Sequence, residues 1–399
     1  MKKKVIVGLS GGVDSSVAAA VLKQQGYEVE GLFMKNWHDT TGLIQSECHW
    51  EDDLMFAEMV AKKLAIPFHQ VDLSEPYRKR VVDYMFSEYE KGRTPNPDVL
   101  CNREIKFDSF VLEAKKLGGD LVATGHYCRK DEIVRQGKII FRLLSGRDGN
   151  KDQSYFLCQV SQDQLATAMF PIGNMLKPEV RRIADELGLA TAQRKDSQGI
   201  CFVGKVDLPV FLQQKLEARK GHIIEITDPS IYPEHQTGYP ADPADENELV
   251  SLSEPYHHSK DSGKIIGNHS GANFFTIGQR KGLNVGGHKE PLFVIATDVE
   301  NNIVYAGEGH GHPGLNRKGL FIRKDEVHWI RPDLSMQAGE NRDYKVRIRY
   351  RQSLQAAKLY CRKAGIYVIF EELQRGIAPG QFAAWYEGDE VVGSGVIDK

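Results

Sequence analysis

The feature that most constrains the fold is an apolar run near the N-terminus that leads through a glycine-rich turn into a helical pattern. Residues 4–9 read KVIVGL, which is typical of a short buried strand. Residues 14–25 carry apolar side chains at helical spacing, and Gly26 ends that pattern. Further predicted elements alternate in the same way: strands at 29–34, 67–73 and 121–124, and a helix at 51–64. This alternation predicts an α/β domain with a doubly wound parallel sheet.

The turn after the first strand is suited to bind an anion. It reads GLSGGVDSS over residues 8–16. Adjacent glycines let backbone N–H groups converge, serine hydroxyls can donate, and the positive end of a helix dipole faces the same point. Asp14 would repel an anion, so we assign it to a Mg²⁺ ion held by phosphate oxygens. The turn lacks the lysine of GxxxxGK[ST] and the spacing of GxGxxG, which disfavours P-loop NTPases and dinucleotide-binding folds.

A second reading of this turn is a tight connection in which a serine or aspartate only caps the helix. Gly125 and His126 follow the predicted strand at 121–124, at the edge of the sheet where ligands of open α/β folds bind. The pattern SGGxDS at a first strand-to-helix turn resembles the PP-loop of ATP pyrophosphatases, which cleave ATP to AMP and pyrophosphate. This resemblance makes the nucleotide-binding reading the favoured one.

Two cysteines lie in polar loop sequences. Cys101 follows two prolines in TPNPDVLCN, next to what reads as a helix start, and Cys201 follows a glycine in KDSQGICF. Helix-end dipoles and neighbouring basic side chains, such as Arg103 and Lys106, favour the reactive thiolate over the thiol. A lone cysteine is more often a buried apolar residue. That reading weakens here because both loops are polar and marked by glycine or proline.

Composition restricts the class of protein. The 399 residues carry a formal charge of −2, and no run approaches the ~18 apolar residues of a membrane helix. Six dispersed cysteines without CxxC spacing predict neither a disulfide framework nor a zinc site, so we expect a reducing, cytoplasmic location and no metal beyond Mg²⁺. The near-neutral total averages unlike segments: residues 342–363 carry eight basic residues and one acid, and residues 227–264 carry eight acids and two lysines. A basic RNA-binding surface is therefore not excluded.

Pattern changes along the chain predict three domains. Residues 1–208 form the α/β domain, and residues 209–289 form a small central domain with one short helical stretch and a proline-marked acidic insertion at 227–264. Residues 290–399 read as short strands and predict an antiparallel β-barrel. The insertion would repel phosphates, so we expect it to face away from RNA or to serve a protein contact.

Six motifs together resemble the tRNA-specific 2-thiouridylases, bacterial enzymes that place sulfur on the wobble uridine of certain tRNAs. They occur in the family's order along nearly the whole chain: SGGVDSS, NPDVLCN, ATGHY, KDQSYFL, KDSQGICF and FFTIGQRKGL. The resemblance implies the adenine nucleotide alpha hydrolase-like fold and ATP-dependent 2-thiolation through an adenylated uridine and a cysteine persulfide, with release of AMP and pyrophosphate. It implies ATP and Mg²⁺ as cofactors. The implied partners are tRNA and a persulfide-donating sulfur-relay protein or cysteine desulfurase.

The resemblance also implies roles for single residues. Cys201 would carry the persulfide and Cys101 would release its sulfur, leaving a Cys101–Cys201 disulfide; attack of Cys101 on the base itself stays open. Residues implied to contact ATP are Gly8, Leu9, Ser10, Gly11, Gly12, Val13, Asp14, Ser15, Met34 and Gly125. Residues implied to contact the target base or other regions of tRNA are Asn96, Pro97, Asp98, His126, Lys151, Asp152, Gln153, Arg349, Tyr350 and Gln381. A structural histidine at 126 and a solvated strand face at 349 are the alternatives.

Two other functions compete with thiolation. An amide ligase of the PP-loop group would adenylate a small molecule, but it has no use for two reactive cysteines, and the N-terminal cysteine of a glutaminase is absent because Lys2 follows Met1. A non-catalytic RNA-binding protein would use only the strand-rich C-terminal region. The presence of Asp14 and of both cysteines argues against it.

Overall fold

The computed structural model describes residues 2–37, 49–195, 208–233, 238–240 and 244–399. In chain order the strands are β1 Lys4–Gly8, β2 Glu28–Lys35, β3 Phe68–Asp72, β4 Leu121–Ala123, β5 Cys128–Arg135, β6 Lys138–Ser145, β7 Ala168–Met169, β8 Gly221–Glu225, β9 Lys264–His269, β10 Leu292–Asp298, β11 Ile303–Glu308, β12 Asn316–Arg323, β13 Val327–Trp329, β14 Asn341–Arg347, β15 Gln355–Cys361, β16 Gly365–Arg375, β17 Phe382–Glu387 and β18 Glu390–Val396. The α-helices are α1 Val13–Gln24, α2 His49–Leu64, α3 Ser74–Tyr77, α4 Asp83–Glu90, α5 Pro97–Leu100, α6 Phe110–Lys116, α7 Gln162–Thr167, α8 Lys177–Glu186, α9 Leu208–Leu212 and α10 Glu246–Ser253.

The first domain is built on a parallel sheet with the strand order β3-β2-β1-β4-β7. Its central strand, β1, is buried from Val5 to Gly8, because alternate side chains pack against different helices. Val5 and Val7 join a cluster with α1 and α2, whereas Ile6 joins a cluster with the helices between residues 74 and 116. Both faces of the sheet are therefore covered, which confirms the predicted doubly wound α/β fold.

Two helical stretches on one face of this sheet contain π-helical segments. Arg78–Val82 joins α3 to α4, and Cys101–Ser109 joins α5 to α6. Such segments are rare and are found often at functional sites. The second one begins at Cys101.

The central domain is a four-stranded sheet with the order β10-β11-β8-β9. Strands β8 and β11 pair in parallel, and the other neighbours are antiparallel. It takes in residues 292–308, which lie beyond the predicted boundary at 290. The strands of this domain and those of the next share the same short, glycine-punctuated pattern, so their sequence does not show which sheet they join.

The C-terminal domain is an antiparallel sheet with the order β12-β16-β15-β14-β17-β18-β6-β5, and β13 pairs with β18. Phe321 in β12 exchanges backbone hydrogen bonds of 3.0 and 2.9 Å with Lys399 and Asp398, just after β18. This contact closes the sheet toward a barrel and confirms the predicted C-terminal architecture.

A hairpin from the N-terminal half of the chain joins this C-terminal sheet. Strands β5 and β6 are linked by Gln136 and Gly137, both at positive φ, which is the geometry of a two-residue hairpin turn. Leu143 and Leu144 of β6 then pair with Val391 and Glu390 of β18. The N-terminal and C-terminal domains are thus joined through a shared sheet as well as through side chains.

The described residues of the acidic insertion include a helix as well as loops. Helix α10 begins after Asp245, whose side chain accepts a hydrogen bond from the N–H of Asn247 at 3.1 Å. Leu249 is fully buried against aromatic residues of the C-terminal sheet, whereas Glu246 and Glu248 are exposed. The helix therefore covers that sheet and directs its carboxylates to solvent. Residues 234–237 and 241–243 lie outside the described residues.

Among the described residues, no helix is both long and apolar enough to cross a membrane.

Candidate active site

The turn between β1 and α1 forms a tight loop at the carboxyl edge of the parallel sheet. Gly11 has φ +71°, and a Cβ at this position would lie 2.3 Å from the carbonyl oxygen of Asp53, so only glycine fits. The Ser15 hydroxyl donates to the Gly12 carbonyl at 3.1 Å and accepts from the Ser10 N–H at 3.2 Å. These hydrogen bonds within the loop fix its backbone conformation. The first-turn N–H groups of α1 face the same edge of the sheet, as an anion site requires.

Asp14 is held by two residues that sequence reasoning missed. The ammonium group of Lys177 lies 2.7 and 2.9 Å from the two carboxylate oxygens, and the Tyr127 hydroxyl donates to one of them at 2.8 Å. Lys177 is itself buried at the start of α8, and its N–H donates to Asp148 at 2.9 Å. A positive charge therefore stands beside the loop, although the loop contains no lysine.

Arg194 supplies a second cation. Its Nη1 donates to the carbonyl of Gly11 and to the carboxylate of Asp53, both at 2.8 Å, and its guanidinium lies 4.3 Å from the ring centre of Phe56. Residues 196–207, including the predicted catalytic Cys201, lie outside the described residues. That range begins just after the contact of Arg194 with the loop.

The other residues predicted to contact ATP lie around the same loop. A Cβ on Gly125 would lie 2.6 Å from the backbone nitrogen of Ser15, so the strand end at β4 closes directly on α1. Met34 in β2 is buried, and its methyl group lies 3.8 Å from the Cβ position of Gly8. The structure therefore brings together the predicted set from Gly8 to Ser15 with Met34 and Gly125.

The donor set around Asp14 does not form a metal site built by protein alone. Among the described residues, no group of three or more His, Cys, Asp or Glu side chains could hold a metal ion. Both oxygens of Asp14 already accept hydrogen bonds. The residues present fit Mg²⁺ only if phosphate oxygens and water supply most of its ligands, as is common for this ion.

Cys101 lies inside a helix. The helix begins at Pro97, because the Asn96 side chain accepts from the Val99 N–H at 3.3 Å and a proline suits the first position. The Cys101 side chain is fully buried, whereas Asn96, Pro97 and Asp98 are half-buried. The predicted base-contacting residues are thus partly exposed, whereas the thiol is not.

The Cys101 segment is fixed to the C-terminal domain by Gln381. The Asn96 side-chain amide donates to the Gln381 side chain at 3.2 Å, and the Gln381 amide donates to the carbonyls of Thr94 and Pro95 at 2.9 and 3.2 Å. Two residues predicted to contact substrate from distant positions in the chain are therefore in direct contact. The link couples the position of the thiol to the C-terminal sheet.

Asp152 lies in the contact between the same two domains. It is buried, and its carboxylate accepts hydrogen bonds from the Gly146 and Ser154 N–H groups, the Ser154 hydroxyl and Arg347 Nη1, all at 3.0 or 3.1 Å. Gln153 accepts from the Tyr127 N–H at 2.9 Å, and Lys151 is half-buried. Asp152 and Gln153 therefore use their carboxylate and carbonyl oxygens inside the protein.

The predicted RNA contacts near the end of the chain are more accessible. Arg349 is exposed, and its Nη1 donates to the carbonyl of Arg375 at 3.0 Å. The ring of Tyr350 packs on that of Phe156 with centres 4.5 Å apart. These residues leave cationic and aromatic groups at the surface where the KDQSYFL motif meets the C-terminal sheet.

His126 is buried behind the strand end. Its Nδ1 lies 2.8 Å from the Thr124 hydroxyl, and the rings of Phe107 and Phe170 pack around it. Burial lowers the pKa of His126 well below 6.5, and the charge of Lys106 lowers it further. The imidazole is therefore neutral at physiological pH.

This histidine predicts a pH dependence of stability. A base whose pKa is lower in the folded state is protonated first in the unfolded state, so its contribution is complete above the unfolded pKa of about 6.5 and is lost as the pH falls toward the folded value. We expect the free energy of unfolding to decline less steeply from about pH 7 to about pH 5 in His126→Gln than in the unsubstituted protein. Denaturant titrations at several pH values measure the slope. The exposed His257→Gln is the control, and equal slopes in all three proteins would contradict the assignment.

Comparisons with known proteins cover the whole chain. Family models match residues 3–205 ("tRNA methyl transferase HUP domain"), 255–308 ("tRNA methyl transferase PRC-barrel domain") and 320–397 ("Aminomethyltransferase beta-barrel domain"). The second and third ranges agree with the observed change of sheet between β11 and β12. A 4-thiouridine synthetase in complex with RNA and ATP overlaps 53% of this chain and 50% of its own at 16% identity, but its TM-score of 0.32 is too low to inform function.

Several relatives are similar over their full length. Proteins from Christiangramia forsetii and Flavobacterium johnsoniae are each 58% identical to this chain, covering 99% of it and 100% of their own length. A protein from Pseudomonas fluorescens is 43% identical and covers 100% of this chain and 95% of its own. All three carry the name tRNA-specific 2-thiouridylase MnmA. At this identity and coverage, the chain belongs to the tRNA-specific 2-thiouridylase family.

Proposed function

We propose that this chain catalyses the ATP-dependent 2-thiolation of the wobble uridine of tRNA. The observation that carries the proposal is the hydrogen bond from Arg194 to the glycine-serine loop. Arg194 is followed directly in the sequence by the KDSQGICF segment. Full-length relatives at 58% identity that are named for this activity support it. An adenylating loop and a cysteine segment that starts beside it are what sulfur transfer to an activated base requires.

The loop binds the triphosphate of ATP. The first-turn N–H groups of α1 and the Ser10 hydroxyl donate to phosphate oxygens, and Lys177 and Arg194 balance their charge. Lys177 also neutralises Asp14, which would otherwise repel the phosphates. Mg²⁺, when bound, would supply further charge neutralisation at the phosphate oxygens, and Asp14 is the carboxylate that would help to hold it.

Sulfur replaces oxygen after ATP has activated the base, and two further steps release the sulfur and restore the thiols. The uracil O2 attacks the α-phosphorus of ATP and pyrophosphate leaves, so the oxygen becomes a component of a good leaving group. The terminal sulfur of a persulfide on Cys201 then bonds to carbon 2, and AMP departs with the oxygen. The Cys101 thiolate attacks the inner sulfur, and the S–S bond to the transferred sulfur breaks. A cellular thiol reductant then reduces the Cys101–Cys201 disulfide. First attack of Cys101 on the base is the alternative.

Transfer of sulfur requires a movement that exposes the Cys101 thiol. The thiol is fully buried, so a base cannot reach it in the described conformation. Gln381 holds this segment through its bonds to Asn96, Thr94 and Pro95. Binding of tRNA at the C-terminal sheet shifts Gln381 and so exposes the thiol only when substrate is present.

The sulfur source is a second protein. A sulfur-relay protein or cysteine desulfurase loads the persulfide onto Cys201, and a reducing cytoplasm restores the thiols after each turnover. The exposed, acidic face of α10 is directed away from the C-terminal sheet, so it would not repel RNA bound to that sheet.

Formation of AMP tests the adenylation step. With radiolabelled ATP, Mg²⁺ and a sulfide source, we expect AMP to appear when unmodified substrate tRNA is added and not when fully thiolated tRNA or a small carboxylate or amide is added. Thin-layer chromatography separates the products. Formation of AMP with small molecules and independent of tRNA would favour the amide-ligase alternative.

The exposed Arg349 predicts a local loss of tRNA affinity. Removing one guanidinium that contacts a phosphate is expected to weaken binding in Arg349→Ala and to reduce the slope of log K against log salt by about 0.9. Filter binding at several salt concentrations measures both quantities. Arg323→Ala, an exposed arginine on β12, is the control. An unchanged slope in Arg349→Ala would place the RNA path elsewhere.

A further inference from the structure

The carbonyl groups of two adjacent loop glycines are held by different partners. The Gly12 carbonyl accepts from the Ser16 N–H at 3.3 Å, from the Ser16 hydroxyl at 2.8 Å and from the Ser15 hydroxyl at 3.1 Å. The Gly11 carbonyl accepts from Arg194 Nη1 at 2.8 Å. The first turn of α1 therefore fixes the Gly12 carbonyl, whereas the Gly11 carbonyl depends on a side chain 183 positions away.

The bond from Arg194 determines which way the Gly11–Gly12 peptide faces. In a planar trans peptide the C=O and the N–H point in opposite directions, so the Gly12 N–H points away from the guanidinium. Within the ranges that the structure describes, this N–H meets no protein acceptor, and Gly12 is only half-buried. Chain neighbours aside, a Cβ on Gly12 would meet only Ser10 Oγ, at 3.5 Å, so the space beside it is open. Such an N–H at the start of a helix is available to a phosphate oxygen.

The opposite orientation of this peptide is sterically accessible. Half a turn of the peptide changes ψ of Gly11 and φ of Gly12, and the φ of Gly12 is −94° in the structure. The turned peptide would give Gly12 a positive φ, which glycine adopts without steric cost. It would also direct a carbonyl oxygen to the place where a phosphate oxygen binds, and the two would repel each other. The glycines thus permit both orientations, and the bond to the Gly11 carbonyl selects one of them.

Arg194 is itself fixed beside the loop. Its Nη1 also donates to the Asp53 carboxylate at 2.8 Å, and its guanidinium lies 4.3 Å from the ring centre of Phe56. Its backbone carbonyl accepts from Arg181 Nη1 at 3.1 Å. Because Asp53 compensates its charge, the guanidinium adds less to the field at the phosphates than an unpaired cation would. The bond to the Gly11 carbonyl is therefore its more direct effect on the loop.

We propose that Arg194 is a positioning residue that selects the phosphate-binding orientation of the Gly11–Gly12 peptide. It acts through the Gly11 carbonyl and needs no contact with the reacting atoms. Asp53 shares this role, because it holds the guanidinium against the loop. This inference rests on the proposed binding of ATP at the loop, and it gives Arg194 a role beyond charge balance.

Equilibrium binding of ATP to the full-length protein tests the role of Arg194. Arg194→Met is expected to weaken binding about tenfold or more, because one backbone hydrogen bond to a charged phosphate is lost. Arg182→Met, which removes an exposed arginine of α8 that pairs with Glu186, should bind ATP as the unsubstituted protein does. Isothermal titration calorimetry measures the affinities, and thermal unfolding shows whether each variant is folded. Equal affinities in two folded variants would overturn the proposal.

Asp53→Ala separates the orientation of the peptide from the charge beside it. This variant frees Arg194 from its anchor and leaves its positive charge uncompensated, so an effect of charge alone would tighten ATP binding. We expect binding about threefold weaker than in Asp52→Ala, since a partly exposed ion pair contributes about this much. Asp52→Ala removes an exposed carboxylate of the same helix and changes the net charge equally. Binding to Asp53→Ala that is as tight as to Asp52→Ala, or tighter, would overturn the proposal even if Arg194→Met does not fold.

These affinity ratios do not depend on sulfur transfer. If they are found with a protein that places no sulfur on tRNA, the role of Arg194 is supported and the proposed function alone is contradicted. Failure of the unsubstituted protein to bind ATP would overturn both.

Discussion

Cys201→Ser is expected to abolish formation of 2-thiouridine while tRNA binding and the tRNA-dependent release of pyrophosphate from ATP persist. A serine hydroxyl cannot carry a persulfide, so the activated base receives no sulfur. Adenylation depends on the loop around Asp14 and Lys177, which the substitution leaves in place. Nucleoside analysis of digested tRNA measures the product, and nitrocellulose filter binding measures the affinity for tRNA.

The matched control for this variant is Cys361→Ser. Cys361 is half-buried in β15, belongs to no motif, and its thiol donates to the carbonyl of Met336 at 3.7 Å. This variant should thiolate tRNA at the normal rate. Thiolation that persists in Cys201→Ser would show that another atom carries the sulfur, and Cys101→Ser would then identify whether the second thiol does so.

Lys177→Met is expected to reduce the rate of ATP cleavage by at least about a hundredfold, which is typical for loss of one positioned electrostatic group. The ammonium group lies 2.7 and 2.9 Å from the oxygens of Asp14. Without it, the carboxylate stands uncompensated beside the triphosphate and repels it. Steady-state AMP formation over a range of ATP concentrations measures the loss in kcat/KM.

A control lysine variant and a measurement of thermal unfolding complete this test. Lys62→Met removes an exposed lysine of α2 and should leave AMP formation unchanged. Thermal unfolding should show that Lys177→Met is still folded, since Asp14 keeps its hydrogen bond from Tyr127. Normal AMP formation by a folded Lys177→Met protein would remove Lys177 from the account of ATP binding.

Local patterns were sufficient to predict the nucleotide loop. The strand, the turn and the first helix are encoded within about twenty residues, because periodicity and glycine placement act over short distances. The expected contact set from Gly8 to Ser15, Met34 and Gly125 is implied by the family resemblance, and parallel strands that end at one edge would bring such residues together. These residues lie together in the structure.

The cations beside that loop could not be predicted in this way. Lys177 and Arg194 come from 163 and 183 positions away from their partners in the loop, and nothing in their local sequence distinguishes them from surface residues. The same limit applies to Asp152 and Arg347, whose buried ion pair depends on how two domains meet. In the hairpin at 128–145, Gly137 indicates a turn. The pairing of this hairpin with β18 could not be predicted, because it depends on residues far apart in the sequence.

The measurement that tests the central claim most directly is mass spectrometry of nucleosides from substrate tRNA after incubation with the full-length protein, ATP, Mg²⁺ and a sulfide source. The account predicts a wobble uridine heavier by the difference between sulfur and oxygen, only when ATP and the protein are both present. Cleavage of ATP to AMP in the same reaction with no sulfur in the tRNA would contradict it.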